Sequence, residues 1–416
     1  MNLVILGGGS LNTPAFFAAL TADDSWLERV CLVDRSAEAV ERTGKFCQTI
    51  VEKQALPIQV SWESDLERAA SGADVVLNML GVGGMAALEE DQCRLAASGA
   101  VGHAATYPQA VRNLPATLAA ARVVEQVAPH ALWVNFSNPV TVLCEALALH
   151  TRLHCVGICY HAFAMRDDFA ALLVAPPERV RIEFFGLNHL GWVTDVQVDG
   201  ESRMSQLVET IRGRRDKKYN YWYVRPGLIP IDHAFCLYHK GDVWYNRQKG
   251  MRGSLADAGL RLGLARPDLS RERRKREALH RAVEGQYLEE LGEFAVQAPW
   301  YAVCIVPFLR ALAAGRPHEF VLTWIHAGQA PTLPDLTAES AVILQDGQVR
   351  RASQASGLPE FAAEWVRQVR ASERLLIRSI TEQSRDLAAM AWSVHPNVAF
   401  VRHAERLASL YFGGQE

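Results

Sequence analysis

The sequence predicts an α/β protein whose first part is a doubly wound parallel sheet, and three observations carry that prediction. Short β-branched apolar runs alternate with longer amphipathic stretches from Asn2 to about Val156, the rhythm of βαβ units. The first run ends in three glycines and the second in an aspartate, Asp34. A glycine turn after one strand and an acid at the end of the next are the marks of a dinucleotide-binding turn. After about residue 160 the rhythm changes, which divides the chain into a nucleotide-binding domain over residues 1–160 and a second domain over residues 161–416.

Taken in order, NLVIL, RVCLVD, ADVVLNML, ALWVNF and LHCVG are predicted strands. Between them, Ser36 to Lys53 carries apolar residues at helical spacing, and Pro115 to Gln126 is a second predicted helix with proline in its first turn. IEFFGLNHLGWVTDVQVDG is predicted to be a β-hairpin or bent strand pair, with Asp199-Gly200 as a turn. A charged helix follows from Ser270 to Glu290, and a long helical tail ends near Leu410. The run RERRKRE inside the charged helix mixes acids with bases and reads as a solvated face.

Composition narrows the function classes. The 416 residues are 49% hydrophobic and 21% charged, which fits a globular chain with a large core. Lys and Arg number 43 against 46 Asp and Glu, a net charge of −3 that gives no bulk attraction to nucleic acid or an anionic membrane. No apolar run approaches the ~20 residues that cross a bilayer. The start, MNLVILGGGS, lacks a basic leader and runs straight into glycines, as a buried strand does. Eight dispersed cysteines fit a reducing compartment, so the expected location is the cytoplasm.

Strand, glycine turn and helix place Gly7, Gly9, Ser10 and Leu11 where backbone N–H groups approach a pyrophosphate. Asn12 stands where the last glycine of G-x-G-x-x-G would fall, so the support comes from Asp34, placed to accept from the adenosine ribose. An acid there repels a 2′-phosphate and favours NAD over NADP. Gly81 to Gly84 follow another strand, which puts Gly83 at the same carboxyl edge. Asn138, in NFSNP, offers amide donors and acceptors to a hydroxylated ligand or caps the helix that follows. Cys159 lies just beyond the strand LHCVG, and His189 thirty positions later in GLNHLGW. A thiolate and an imidazole can share a divalent metal with positions left open for substrate; each is otherwise an ordinary buried residue, and spacing does not choose.

GGGS with Thr13-Pro14, VGG at 82–84, NFSNP at 135–139, GIC at 157–159, GLNHLGW at 186–192 and LAAMAWSVHPNV at 387–398 together resemble glycoside hydrolase family 4, in order along nearly the whole chain. The GLNHLGW segment is similar to the 6-phospho-β-glucosidase branch. The resemblance implies a Rossmann-type domain followed by an α+β domain like the C-terminal domain of lactate and malate dehydrogenases. It implies NAD and a divalent metal, usually Mn, with Cys159 and His189 as metal ligands and Asn138 and Asn188 on the sugar. It also implies a homodimer or homotetramer. The implied hydrolysis is oxidation of the sugar at C3, loss of the C2 proton, elimination of the aglycone, water addition and re-reduction, in place of paired carboxylates.

Three positions depart from the family pattern. Tyr160 follows the metal cysteine where members place Asp or Asn, and a phenol takes the place of the candidate proton donor. The segment GLIPIDHAF puts His233 at the position of the base, with Asp232 as its rival. Gly81 stands where phosphorylated-sugar members carry Arg, leaving Arg112, Lys240, Arg247 or Arg252 to meet a phosphate. A 6-phosphate on the glucoside is therefore left open, as is an unphosphorylated uronide or galactoside. An NAD-dependent 2-hydroxy acid dehydrogenase would share the architecture but needs no thiolate metal site. A nucleotide-sensing relative without turnover is the third reading.

Overall fold

The structure, a computed structural model, describes the chain apart from residues 99, 101, 214–228, 231–269, 286–290, 326–336, 353–357, 399–400 and 414–416. Its first third is built from β1 (Asn2–Leu6), α1 (Pro14–Ala18), β2 (Arg29–Val33), α2 (Ala37–Lys53), β3 (Gln59–Glu63), α3 (Leu66–Ala70), β4 (Val75–Asn78) and α4 (Gly84–Ser98). Then come α5 (Tyr107–Val127), β5 (Leu132–Asn135), α6 (Val140–His150), β6 (Cys155–Gly157) and α7 (Tyr160–Leu173). The six strands are parallel in the order β3-β2-β1-β4-β5-β6, so the direction of winding reverses between β1 and β4.

The sheet continues into antiparallel strands. These are β7 (Val180–Leu187), β8 (Leu190–Val198), β9 (Glu201–Ser202), α8 (Met204–Gly213) beside them, and β10 (Ile229–Pro230). Later come α9 (Ser270–Gly285), α10 (Leu291–Gln297), a π-helical turn at Tyr301–Ile305, α11 (Val306–Ala314), β11 (His318–Ile325), β12 (Thr337–Gln345) and β13 (Gln348–Arg351). β11 joins β6 through the pair Thr323 and Gly157, and β12, β7, β8 and β10 follow outward. Three helices close the described chain: α12 (Glu360–Thr381), α13 (Arg385–Val394) and α14 (Val401–Phe412).

Period-two alternation explains why these strands read as continuous apolar runs. Leu3, Ile5, Val30 and Leu32 face a core shared with Phe16, Phe46, Leu279, Phe294 and Phe308. Val4, Leu6, Cys31 and Val33 face the opposite core, with Tyr107, Leu114, Leu143, Leu376 and Trp392. A sheet covered on both faces buries every residue of a strand, and each fully buried side chain contributes about 1.5–3 kcal/mol. Ser36 caps α2 by accepting from the Ala39 N–H at 3.2 Å. Between α1 and β2, Asp24 is 2% exposed and holds α11. Arg310 donates Nε to Oδ1 at 2.6 Å and Nη2 to Oδ2 at 2.7 Å, while Trp26 Nε1 and the Thr21 N–H add donors at 2.7 and 2.8 Å.

Three expectations shift against the structure. The helix expected from Pro115 begins eight residues earlier, with proline Pro108 in its first turn and Pro115 inside it. Ala110, Leu114, Leu118 and Ala121 form one buried stripe across Pro115, and that packing outweighs a missing bond of about 3 kcal/mol. Asp199-Gly200 does turn the chain, with φ of +53° and +83°, but into the short β9. The main hairpin turn is Asn188-His189, between the paired Leu187 and Leu190. The helical tail is three helices, with Ser384 accepting from the Leu387 N–H to start the second. No helix among the described residues is long and apolar enough to cross a membrane.

Candidate functional site

The parallel strands end on one edge, where a reversal of winding opens a crevice for ligands. Gly7 and Gly8 follow β1, and both donate their N–H to Val33 O at 2.9 Å. A side chain at Gly8 would put its Cβ 2.7 Å from Leu32 Cβ and 2.9 Å from Val33 N, so the turn lies directly on β2. Gly9 donates to Asp34 Oδ2 at 3.2 Å, and a Cβ there would come within 3.0 Å of the same oxygen. The glycine turn and the acid at the end of β2 are therefore neighbours, with a gap that only glycine leaves open. Ser10 and Leu11 are half-buried on the following turn.

Side-chain amides tie the next loops together. Asn78 Nδ2 donates to Asn135 Oδ1 at 2.8 Å, and Ser137 Oγ donates to Leu80 O. Asn113 of α5 accepts from the Val82 N–H at 2.9 Å and donates to Asn138 O at 2.8 Å. Thus one buried side chain fastens the VGG loop to the NFSNP loop. Gly83 is exposed with φ +83°, and a Cβ there would come within 2.5 Å of Ala87 Cβ, with Arg112 Nε at 3.7 Å. Asn138 is exposed at the lip, ahead of a cis bond to Pro139.

Cys159 lies two residues past β6 as the N-cap of α7, and its Sγ accepts from the His161 N–H at 3.4 Å. His189 Nε2 stands 3.3 Å from Cys159 Sγ. Two donors bound at 2.0–2.3 Å to one ion, at angles between square and tetrahedral, lie about 3.1–3.6 Å apart. The pair therefore fits a shared soft-to-borderline cation. His189 holds its position at φ +60°, a left-handed conformation rare for a side chain with Cβ and associated with functional strain. The His161 ring packs over it at 4.9 Å. Among the described residues no third His, Cys, Asp or Glu completes a metal-holding group with this pair. Cys304, on the π-helical turn, is fully buried; burial, and then the charge of Cys159, push its thiol well above the ordinary range. It is an uncharged wall.

The remaining candidates divide. Tyr160 is the first residue of α7, half-buried beside Cys159. Asn188 is 5% exposed and donates Nδ2 to Glu339 Oε1 at 3.2 Å. Arg112 donates Nε to Val82 O at 3.1 Å and Nη1 to the buried Asp91 at 2.8 Å. His233 and Asp232 lie outside the described residues, as do Lys240, Arg247 and Arg252. Asn113 and Glu339 were not evident from sequence. Neither belongs to a motif, and both act through partners more than 20 residues away.

A Rossmann-type sheet extended by an antiparallel half, with a thiol–imidazole pair at the edge that bears the glycine turns, defines a nucleotide-binding protein with a metal-competent site. The chain belongs to the family 4 glycosyl hydrolases: the family's own pattern matches residues 2–175 and its C-terminal domain matches residues 184–398. A probable 6-phospho-beta-glucosidase of Bacillus subtilis is 23% identical over 416 residues, covering 96% of this chain and 92% of that protein. The 6-phospho-beta glucosidase of Thermotoga maritima, solved with manganese, NAD+ and glucose-6-phosphate, superposes with a TM-score of 0.81 at 21% identity, over 99% of this chain and 97% of that one. Malate dehydrogenase of Salinibacter ruber superposes with a TM-score of 0.56 at 12% identity, over 93% of this chain and 99% of that one. The expected relation in fold to malate dehydrogenase is borne out.

Proposed function

We propose that this chain is an NAD- and manganese-dependent glycosidase. Its substrate is a glucoside, with or without a 6-phosphate, opened by C3 oxidation, C2 deprotonation, elimination, water addition and re-reduction. The observation that carries this reading is the 3.3 Å approach of Cys159 Sγ to His189 Nε2 at the edge that also bears the glycine turns. The Thermotoga maritima relative with manganese, NAD+ and glucose-6-phosphate supports it. Bound there, the two cofactors would supply a hydride acceptor for C3 and positive charge beside the C2–C3 edge of the sugar.

The chain's own groups do the rest. Residues 1–160 form the dinucleotide domain, where Gly7, Gly9, Ser10, Leu11 and Gly83 present backbone to the pyrophosphate and Asp34 accepts from the adenosine ribose. Residues 161–416 complete the sugar side. Cys159 and His189 hold the metal and Asn138 and Asn188 orient sugar hydroxyls. Arg112 would meet a substrate anion only by leaving Asp91. His233, with Asp232 as the alternative, takes the C2 proton, and Tyr160 delivers a proton to the leaving oxygen. The enzyme works in the cytoplasm as a homodimer or homotetramer.

The test is aglycone release from nitrophenyl glucosides of both anomers, with and without 6-phosphate, in D2O with NAD+, Mn2+ and reductant. Release that needs both cofactors, with deuterium at C2 of the product, is expected. Release without either cofactor, or product free of deuterium, would overturn the mechanism.

A further inference from the structure

Glu339 is 2% exposed near the start of β12. In register it lies opposite Gly186 of β7 on one side and Thr323 of β11 on the other, and Thr323 lies opposite Gly157 of β6. One transverse row thus joins Gly157, two residues before Cys159, to Gly186, three before His189. Glycine at both ends leaves the row short of side-chain bulk; a Cβ on Gly157 would come within 2.8 Å of both Thr323 Cβ and Cys144 Sγ. A carboxylate in such a place is costly, and an apolar residue would fill it without desolvation.

What the carboxylate does is visible in its partner. It accepts from Asn188 Nδ2 at 3.2 Å, and the NH2 is the donating end of that amide. The amide of Asn188 therefore has to turn its NH2 toward β12 and its Oδ1 the other way. The next residue is His189, held at φ +60° in a two-residue turn. A turn this short moves as a unit, so fixing Asn188 fixes the imidazole that faces Cys159.

The geometry points to Glu339 as a positioning residue of the metal site, acting through Asn188 on His189. This rests on the reading that Cys159 and His189 hold the metal. Such outer partners ordinarily change metal affinity by about 10–100-fold.

The experiment is a Mn2+ titration followed by the EPR signal of free Mn2+, with NAD+ present and thermal melts alongside. The chains compared are wild type, Cys159→Ser, Asn188→Ala, Glu339→Leu, Glu339→Gln and the Glu339→Leu/Asn188→Ala double variant. Glu339→Leu should weaken Mn2+ binding at least tenfold, and Glu339→Gln, which still accepts from Asn188, should recover part of the loss. The double variant should bind no more weakly than Asn188→Ala, because both changes cut one connection. Binding by Glu339→Leu within twofold of wild type, or penalties that multiply in the double variant, would overturn the inference. Undiminished Mn2+ binding by Cys159→Ser would instead overturn the metal assignment itself. Should Glu339→Leu fail to fold, Glu339→Gln and a Glu339→Gln/Asn188→Ala double variant carry the test, with a loss confined to chains that retain Asn188.

Discussion

Removing the charge of Asp24 by Asp24→Asn should cost about 2 kcal/mol at neutral pH and nothing in strong acid. Burial alone would raise the Asp24 carboxyl, but Arg310, the Thr21 N–H and Trp26 Nε1 overturn that and hold it at about 2 against an ordinary 3.8. A carboxyl lowered by that much contributes about 2 kcal/mol once both folded and unfolded forms are ionised. Its partner Arg310 is 42% exposed, so water receives the guanidinium in the variant and no stranded cation enlarges the loss. Because the folded value lies below the unfolded one, the contribution is complete above about pH 5 and fades as pH falls through 4 toward 2. Urea unfolding of wild type and Asp24→Asn at steps from pH 7 to pH 3 measures it. A melting difference of about 2–4 °C at pH 7 is the thermal equivalent. Stabilities within about 0.5 kcal/mol at pH 7, where exposed surface pairs ordinarily fall, would refute the reasoning, as would a gap that stays constant down to pH 3.

Other perturbations read the site directly. Gly8→Ala should lower the melting point by several degrees and weaken NAD+ binding at least tenfold in fluorescence titration, since its Cβ would meet β2 backbone at 2.9 Å; Gly81→Ala, with nothing within 4 Å of its Cβ, should leave both unchanged. His189→Asn should abolish Mn2+ binding yet melt no lower than wild type, because Asn tolerates the left-handed φ whose cost for other residues is about 1–2 kcal/mol. A drop of several degrees would show that the imidazole is needed for packing. Gly81→Arg, placed in that open space, should lower KM for a 6-phosphorylated nitrophenyl glucoside about tenfold relative to the unphosphorylated one. Equal KM values would place the phosphate elsewhere.

The parallel half was legible because burial on both faces writes itself into sequence. Leu3 to Leu6 and Val30 to Val33 are apolar throughout, and the glycines and Asp34 stand at their ends. The hairpin turn was not legible, since Asn188-His189 lacks the glycine that turn rules look for and takes the left-handed conformation with a histidine. Pro115 misled for a related reason: local propensity places it at a helix start, and the stripe from Ala110 to Ala121 overrides it. Cys159 and His189 were each ambiguous alone; only folding brings them within 3.3 Å. Asn113 and Glu339 left no trace, because a hydrogen bond between segments 25 or 151 residues apart has no period.

Because β6, β11, β12 and β7 are locked in one hydrogen-bonded register, the sheet works as a ruler. It sets where Cys159 and His189 stand without reference to the loops that follow them. A lineage, or an engineer, can then lengthen or exchange those loops to recognise a different ligand while the Cys159–His189 pair keeps its spacing. An insertion of one residue inside β7 or β12 has no such freedom, since it would invert every side chain beyond it. Novelty in this architecture should therefore accumulate in the connections, and inherited chemistry in the strands.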